Sequence, residues 1–202
     1  MLLSLLASGL LAICGTDREA VKVLADWGAR HLQRGDWQAT VEQLRGLPGE
    51  YTSHTEKPGW GMPRQKTETQ VVSVEAYVLG TRIEPDGDIH VVIAGAALGA
   101  TMIAEFPDAA CVKQWMAKTT KAPKAVLAQM QQDAVAMEQA KRKLLSFLPF
   151  APTTKYRALP KPWLKLRFTG VLFFDRPHKQ TGVAPNGIEL HPVLQVQRPL
   201  VP

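Results

Sequence analysis

Residues Phe168 to Gln197 read FTGVLFFDRPHKQTGVAPNGIELHPVLQVQ. With Leu164 and Leu166 just before it, the first arm places Leu164, Leu166, Phe168, Gly170, Leu172 and Phe174 on one face. Lys165, Arg167 and Thr169 open the other face, which turns apolar at Val171 and Phe173. The second arm sets Ile188, Leu190, Leu194 and Val196 against Glu189, His191, Gln195 and Gln197. Alternation with period two is the pattern of a half-buried strand, so two strands are expected. The loop between them holds Asp175, His178, Gln180, Gly182, Pro185, Asn186 and Gly187. Gly182 and Gly187 let the chain turn sharply and Pro185 stiffens it.

Upstream, Thr69 to Glu84 alternates through Val72, Val74, Ala76 and Val78, a long strand. Pro85-Asp86-Gly87 is a turn: proline presets φ and glycine accepts a positive one. Asp88 to Ala94 and Thr101 to Phe106 complete a three-stranded meander, which Pro107 ends. Asp108 can cap a helix to about Thr119. Ala125 to Phe147 is a longer helix with Val126, Met130, Val135, Met137, Leu144 and Leu145 at helical spacing. Three strands, a helical insertion and two strands is the element order of the OB-fold, a five-stranded Greek-key barrel. A mainly β, OB-like barrel with its helical insertion between the third and fourth strands is therefore expected. A small open α+β sheet is the competing architecture.

The chain has 202 residues, enough for one domain with additions. Residues 1–14, MLLSLLASGLLAIC, carry no charged side chain and match a signal-peptide apolar region in length, too short to span a bilayer. Export is the expectation, although the usual basic flank is missing; a lipoprotein reading meets a large Ile13 before Cys14. Thr16 and Glu19 form a capping-box pattern, so a helix is expected to start there and run to Gly35. Asp36 would cap a second short helix through Leu44. The expected organisation is a leader over 1–14, a helical segment over 15–48, a linker over 49–67 and the barrel over 68–198. Cys14 and Cys111 could pair in an oxidising compartment, or be two unrelated thiols; the second reading is the one taken.

DGDIHVVI, TMIAEFPDAAC and FTGVLFFDRPHKQTGVAPNGIELHPVL, spread over residues 69 to 197, resemble a widespread bacterial family of small, often exported proteins for which no reaction is established. That family's loop more often reads His-Gly-Gln, whereas Lys179 stands between His178 and Gln180 here. The resemblance implies that these polar motifs are worth testing as a site, and nothing about a reaction.

Two sets of residues could carry chemistry. Glu189 and His191 share a strand face, as do Asp88 and His90. With Glu105, Asp175, His178 and Asn186 they could converge on Zn²⁺ or another divalent ion, or place an imidazole beside a carboxylate for proton transfer. The metal candidates are His90, His178, Glu189 and His191, and the catalytic candidates add Asp175. The plainer reading has Asp175, His178 and Asn186 holding the loop by hydrogen bonds, with Gly182 and Gly187 at its turns. The Asp86-Gly87-Asp88 run also resembles the DGD of staphylococcal-type nucleases, whose barrel is an OB-fold, but their arginine pattern is not evident.

The second set is basic. Lys155, Arg157, Lys161, Lys165 and Arg167 occur with Tyr156 and Trp163 and without an acid from Ala151 to Arg167. Cations can track phosphates while aromatics stack on bases, and the net charge of +6 is compatible with a polyanion. The plainer reading is a solvated connector with Trp163 packed on the barrel. No phosphate-binding loop, GxSxG or HExxH is present. The sequence thus points to an exported or envelope-associated binding module for single-stranded nucleic acid or an anionic glycan, contacted by Tyr156, Lys161, Trp163, Lys165 and Arg167. The alternative is a divalent-metal-dependent, nuclease-like hydrolase using the His/Glu cluster.

Overall fold

The structure is a computed structural model, and it describes residues 14–15, 18–49, 63–119, 121–175 and 180–199. Its strands are β1 (Gln33–Ala39), β2 (Gln70–Ile83), β3 (Ile89–Ala94), β4 (Thr101–Phe106), β5 (Arg157–Ala158), β6 (Leu164–Phe174) and β7 (Ile188–Gln197). Its helices are α1 (Glu19–Lys22), α2 (Val41–Arg45), α3 (Ala109–Lys118) and α4 (Lys124–Phe147), with 3-10 turns at Trp27–His31 and Thr67–Thr69.

The sheet runs β2-β3-β4-β7-β6 and closes where β6 pairs with β2. All of these pairings are antiparallel except β4 with β7. This is a closed five-stranded barrel of OB-like type with the helical insertion between its third and fourth strands. Closure depends on the length of β2. Residues 71–78 pair with β6 and residues 77–83 pair with β3, so one strand serves both halves. A register shift between Val78 and Gly80 marks where β2 changes partner.

Alternation along each strand fills the barrel. Val74, Val91, Ala104, Phe168, Leu172 and Leu190 are among its fully buried interior residues, and Ala140 and Leu144 of α4 pack against the same core. Met130 and Met137 are buried and Val126 is half-buried, whereas Val135 and Leu145 face outward. Val193, not Leu194, joins the interior, because the β6–β7 register shifts around Gly170.

The N-terminal part departs from the expected pair of helices. The first helix is only Glu19–Lys22; Leu24 turns to a φ of 58° and Trp27 is exposed. Where a helix capped by Asp36 is expected, residues 33–39 form β1, which pairs parallel to β2. Pairing with a distant strand outweighs the local helical pattern there. Helix α2 starts later, at a capping box made by Thr40 and Gln43.

The reading of unrelated thiols is also overturned: Cys14 and Cys111 form a disulfide, with Cα atoms 5.3 Å apart and 97 residues between them in sequence. Cys14 therefore belongs to the folded unit, and its sulfur is not available for acylation. On the chain-entropy account a crosslink of this span stabilises by about 4–5 kcal/mol. Residues 1–13, the rest of the expected leader, lie outside the described residues, as do 50–62 of the expected linker.

Residues 18–31 lie against the outside of the barrel. Val23, Leu24 and Ala29 build a second apolar cluster with Val71, Val171, Val112 and Met137. Arg18 makes a bidentate pair with Glu68, at 2.8 and 2.5 Å, and Glu68 also accepts the Phe174 backbone N–H. Arg64 donates to Asp26 and to the Val21 carbonyl. The outer wall is covered at β3, which is buried along its whole length on both faces.

Candidate metal centre

On β3, β4 and β7 the residues that alternate with the barrel core are His90, Glu105, Glu189 and His191. Strand alternation puts them on the outer wall. Register aligns them: His90 lies opposite Glu105, and Ile103, two before Glu105, lies opposite Glu189. All are under 9% exposed, and the loop at Thr181 and Gly182 lies over the β3 side of this wall. Asp88 joins them from the residue before β3, buried to 1%.

Their hydrogen bonds divide the cluster into two halves. In one, His90 Nδ1 sits 3.0 Å from Glu105 Oε1 and 3.1 Å from Glu84 Oε1. His90 Nε2–H donates to the Thr181 carbonyl at 3.0 Å, and Arg82 Nε–H donates to Glu84 at 2.5 Å. The chain Arg82–Glu84–His90–Glu105 alternates in charge, and each member has its partner. Gly182, next to Thr181, has a φ of +88° and lies against Val92, where a Cβ would come within 2.5 Å of a methyl carbon. Only glycine brings the loop this close to β3.

The other half is incomplete. The Asp108 N–H donates to Asp88 Oδ1 at 2.8 Å, which turns Oδ2 toward His191 Nε2 at 3.4 Å. Neither Asp88 Oδ2 nor His191 Nε2 has a hydrogen-bond partner, although both are buried. His191 Nδ1 faces Glu189 Oε1 at 3.3 Å, and the ring packs edge-on against Phe173. Glu105 Oε2 lies 3.9 Å from the same ring nitrogen. Both carboxylate oxygens of Glu19, on α1, are buried without a partner as well. Orphaned buried polar atoms are rare in native proteins and ask for a cause.

The field explains the protonation of the cluster. Burial lowers the pKa of His90, but its bonds to Glu105 and Glu84 outweigh that and push it up to about 10. Burial acts the same way on His191, and Asp88, Glu189 and Glu105 push it up to about 10. Burial would raise Glu105, but His90 and His191 hold it down at about 2. Burial wins at Glu189, pushed up to about 7 with Asp175 and Glu105 adding to it. It wins at Glu19 too, up to about 7, with Asp88 adding. Burial alone would lower Lys22, yet Asp175, Glu189 and Glu105 hold it above its ordinary value. Carboxylates dominate this layer.

Two groups of side chains bring ligand atoms within 4.8 Å of one another: Glu84, His90 and Glu105, and Asp88, Glu105 and His191. The first is already a satisfied ion network. In the second, Asp88 Oδ2 and His191 Nε2 face only each other, at 3.4 Å and without a hydrogen bond, and its residues are held from behind: Asp88 by an amide, Glu105 by His90, and His191 by Glu189. A carboxylate behind a ligating imidazole fixes its tautomer and leaves the other nitrogen for the metal. Imidazole and carboxylate donors fit Zn²⁺ and its first-row neighbours.

Comparison of the chain with protein-family models, curated proteins and solved structures finds no match. The functional reading rests on this geometry.

Of the residues singled out in the sequence, His90, Glu105, Glu189, His191 and Asp88 meet. Asp175 is buried nearby at the end of β6, where its N–H donates to the Gly187 carbonyl. His178 lies outside the described residues. Asn186 Nδ2 donates to the Leu44 and Leu47 carbonyls, both at 3.0 Å, and so ties the loop to the end of α2. Gly187, at a φ of 73°, closes that turn through its N–H to the Ala184 carbonyl.

The basic residues lie apart and have partners of their own. Tyr156 packs on Gly80, where a Cβ would come within 2.3 Å of its hydroxyl. Trp163 is half-buried against the barrel core with Lys161 over its ring at 4.7 Å. Lys165 pairs with Glu75 at 3.0 Å. Arg167 is half-buried on β6, opposite Glu75 of β2.

Glu19, Lys22, Glu84 and Arg82 are not among the site residues that the sequence pattern picks out. Glu19 had a signal there, as the acid of a capping box, but Arg18 and not Thr16 precedes α1 and provides no side-chain cap.

Proposed function

We propose that the chain is an exported metal-binding protein whose centre takes one divalent cation of the zinc class between Asp88, Glu105 and His191. The observation that carries this is the pair Asp88 Oδ2 and His191 Nε2, buried, 3.4 Å apart and without hydrogen bonds, in two residues that with Glu105 bring one ligand atom each within 4.8 Å of one another. A cation between them would satisfy both atoms and balance the surplus of carboxylates. The Cys14–Cys111 disulfide supports an oxidising compartment. No helix among the described residues is long and apolar enough to cross a membrane.

Three protein ligands leave a coordination position for water or substrate, the arrangement of catalytic rather than structural zinc sites. Metal-assisted hydrolysis is the reaction class such a centre supports, the bound ion lowering the pKa of a water. Glu189 would hold the His191 tautomer from Nδ1.

The test is elemental analysis of disulfide-intact protein, followed by Zn²⁺ titration after chelation. About one equivalent is expected for the native chain, and a loss of binding in Asp88→Asn and in His191→Ala, the usual result of removing a ligand. Native protein that takes up no divalent ion contradicts the proposal.

A second reading has one observation in its favour. Lys161, Pro162 and Trp163 line an open hollow with Tyr77, Ala96 and Leu98, so a cation and an aromatic ring meet there. If a single-stranded nucleic acid or anionic glycan binds there, Lys161→Ala with Lys165→Ala and Arg167→Ala weakens binding and flattens its salt dependence. Equal affinity in the triple variant leaves the strip as a connector.

A further inference from the structure

Glu105 and His191 stand on barrel strands, whereas Asp88 lies in the turn between β2 and β3 and is aimed from outside the sheet. The Asp108 N–H, at the N-cap of α3, holds Asp88 Oδ1 at 2.8 Å and leaves Oδ2 toward His191 Nε2. The two turns are in contact. Gly87 has a φ of +89°, and a Cβ there would come within 3.1 Å of Asp108 Cβ. The Asp108 side chain accepts the Ala110 N–H at 2.8 Å and so fixes its own residue to the first turn of α3. Where that first turn sits decides where Asp88 points.

The Cys14–Cys111 bond is placed at this junction. Cys111 lies in the first turn of α3 and is fully buried, with Sγ 3.7 Å from the Asp86 carbonyl oxygen. The other half of the crosslink reaches the same residue: a Cβ on Gly15, next to Cys14, would lie 3.2 Å from Asp86 Oδ2. Both halves of the disulfide thus meet the turn that carries Asp88. Lys141 of α4 adds a looser fastening, with Nζ 3.8 Å from Asp108 Oδ2 and 3.4 Å from the Pro107 carbonyl. The barrel strands close among themselves without α3. The two sulfurs differ in access, since Cys14 is half-buried and Cys111 has no exposure.

Resting on the proposed cation centre, we infer that the Cys14–Cys111 bond is a redox control on it. Formed, the bond fixes the first turn of α3 against the Asp86–Asp88 turn and keeps Asp88 aimed at the cation. Broken, it frees that turn and weakens binding, with the same three ligands in both states. Asp108 is the positioning residue through which the bond acts. A dithiol reductant makes the change: its thiolate attacks Cys14 Sγ, the accessible sulfur, and Cys111 leaves. The second thiol of the reductant then closes on the mixed disulfide and releases Cys14. Two electrons and two protons pass to the protein, which holds two thiols, and the reductant becomes its cyclic disulfide.

The experiment is calorimetric titration with Zn²⁺ of chelator-stripped protein, with circular dichroism to check the barrel. The samples are the native chain and Asp108→Pro, each oxidised and reduced, with Cys14→Ser/Cys111→Ser and oxidised Phe168→Ala beside them. Asp108 has a φ of −71°, which proline adopts, so Asp108→Pro deletes the orienting N–H while the disulfide stays. The oxidised native chain should bind tightest. Asp108→Pro should bind about 10- to 100-fold more weakly, the range seen when a group supporting a metal ligand is removed. The reduced native chain and the serine variant should fall about 10-fold, because the amide is loosened and not lost. Reduction should add nothing further in Asp108→Pro, since both changes act on one contact. Phe168→Ala, destabilised with its disulfide intact, should keep the native affinity. Equal affinity in the oxidised and reduced native chain overturns the control and spares the three-ligand centre. So does a reduction effect that persists in Asp108→Pro, or a reduced chain that loses its barrel, because the bond would then act on the fold. No uptake by the oxidised native chain overturns both. Should a variant fail to fold, the oxidised and reduced native chains still decide.

Discussion

The two faces of the same strands differ. Inward, β3, β4 and β7 present Val91, Ala104 and Leu190, apolar and fully buried. Outward, one residue away on each strand, they present His90, Glu105 and either Glu189 or His191, polar and just as buried. The interior is held by apolar burial alone and needs no partner beyond its neighbours. The outer wall holds charges that burial penalises, and some of its atoms have no partner. Stability is therefore carried by the first face and binding chemistry by the second, and changes to each should separate in the same way.

The largest effect on stability should come from the interior. Phe168→Ala should destabilise by about 3–5 kcal/mol in chemical denaturation while the folded fraction keeps its Zn²⁺ stoichiometry. A loss of metal at full stability would break the division. Next, loss of the Cys14–Cys111 bond should lower stability by about 2–5 kcal/mol.

The outer wall should respond in the opposite sense. Glu19→Gln removes an unpartnered buried charge, so the metal-free protein should gain about 1–3 kcal/mol at pH 8, each unit of pKa shift corresponding to about 1.4 kcal/mol. At pH 4.5 the native acid is already protonated and the gain should vanish. A destabilising Glu19→Gln in the metal-free protein would mean that the carboxylate has a favourable role without a cation.

The pH profile follows from the same groups. Glu19 and Glu189, raised from 4.5 to about 7, contribute stability that is full below pH 4.5 and lost as pH rises through 7. His90 and His191, raised from 6.5 to about 10, contribute stability that is full below pH 6.5 and lost as pH rises through 10. Glu105, lowered to about 2, contributes stability that is full above pH 4.5 and lost as pH falls through 2. Metal-free protein should thus be most stable in mildly acid solution and weaken steadily toward pH 10. Cation affinity should rise over the same range, because ligands must lose protons to bind. Thermal scans with chelator and with Zn²⁺ across this range check both slopes. The smallest effect belongs to the surface: Lys165→Ala should move stability by about 0.5 kcal/mol or less, since exposed ion pairs contribute little.

The barrel was legible because its signals are local. Val72 to Val78 alternate, Pro85-Asp86-Gly87 can only turn, and Pro107 with Asp108 ends a strand and caps a helix. Observed strand limits fall within a residue or so of those read from the sequence. β1 was not legible, because its Gly35 and Asp36 resist the strand pattern and its partner lies far along the chain. The disulfide joins residues 97 apart, and no local pattern encodes that distance.

The site was legible in part. Period two placed Glu189 with His191 and Asp88 with His90, but it assigns polar faces to solvent. Only distant chain segments make that face buried, the loop at Thr181 and Gly182 among them, and the acid of the N-terminal segment, Glu19, looked like part of a helix cap. The run from Asp86 to Asp88 was readable as a turn, which Asp86 does make; Asp88 does more.

The most direct test of the centre is its location. A crystal of the disulfide-intact protein soaked with Zn²⁺ and measured at the zinc absorption edge should show one strong anomalous peak between Asp88 Oδ2, Glu105 and His191 Nε2. No peak there, or zinc only on exposed histidines such as His31, would contradict the account.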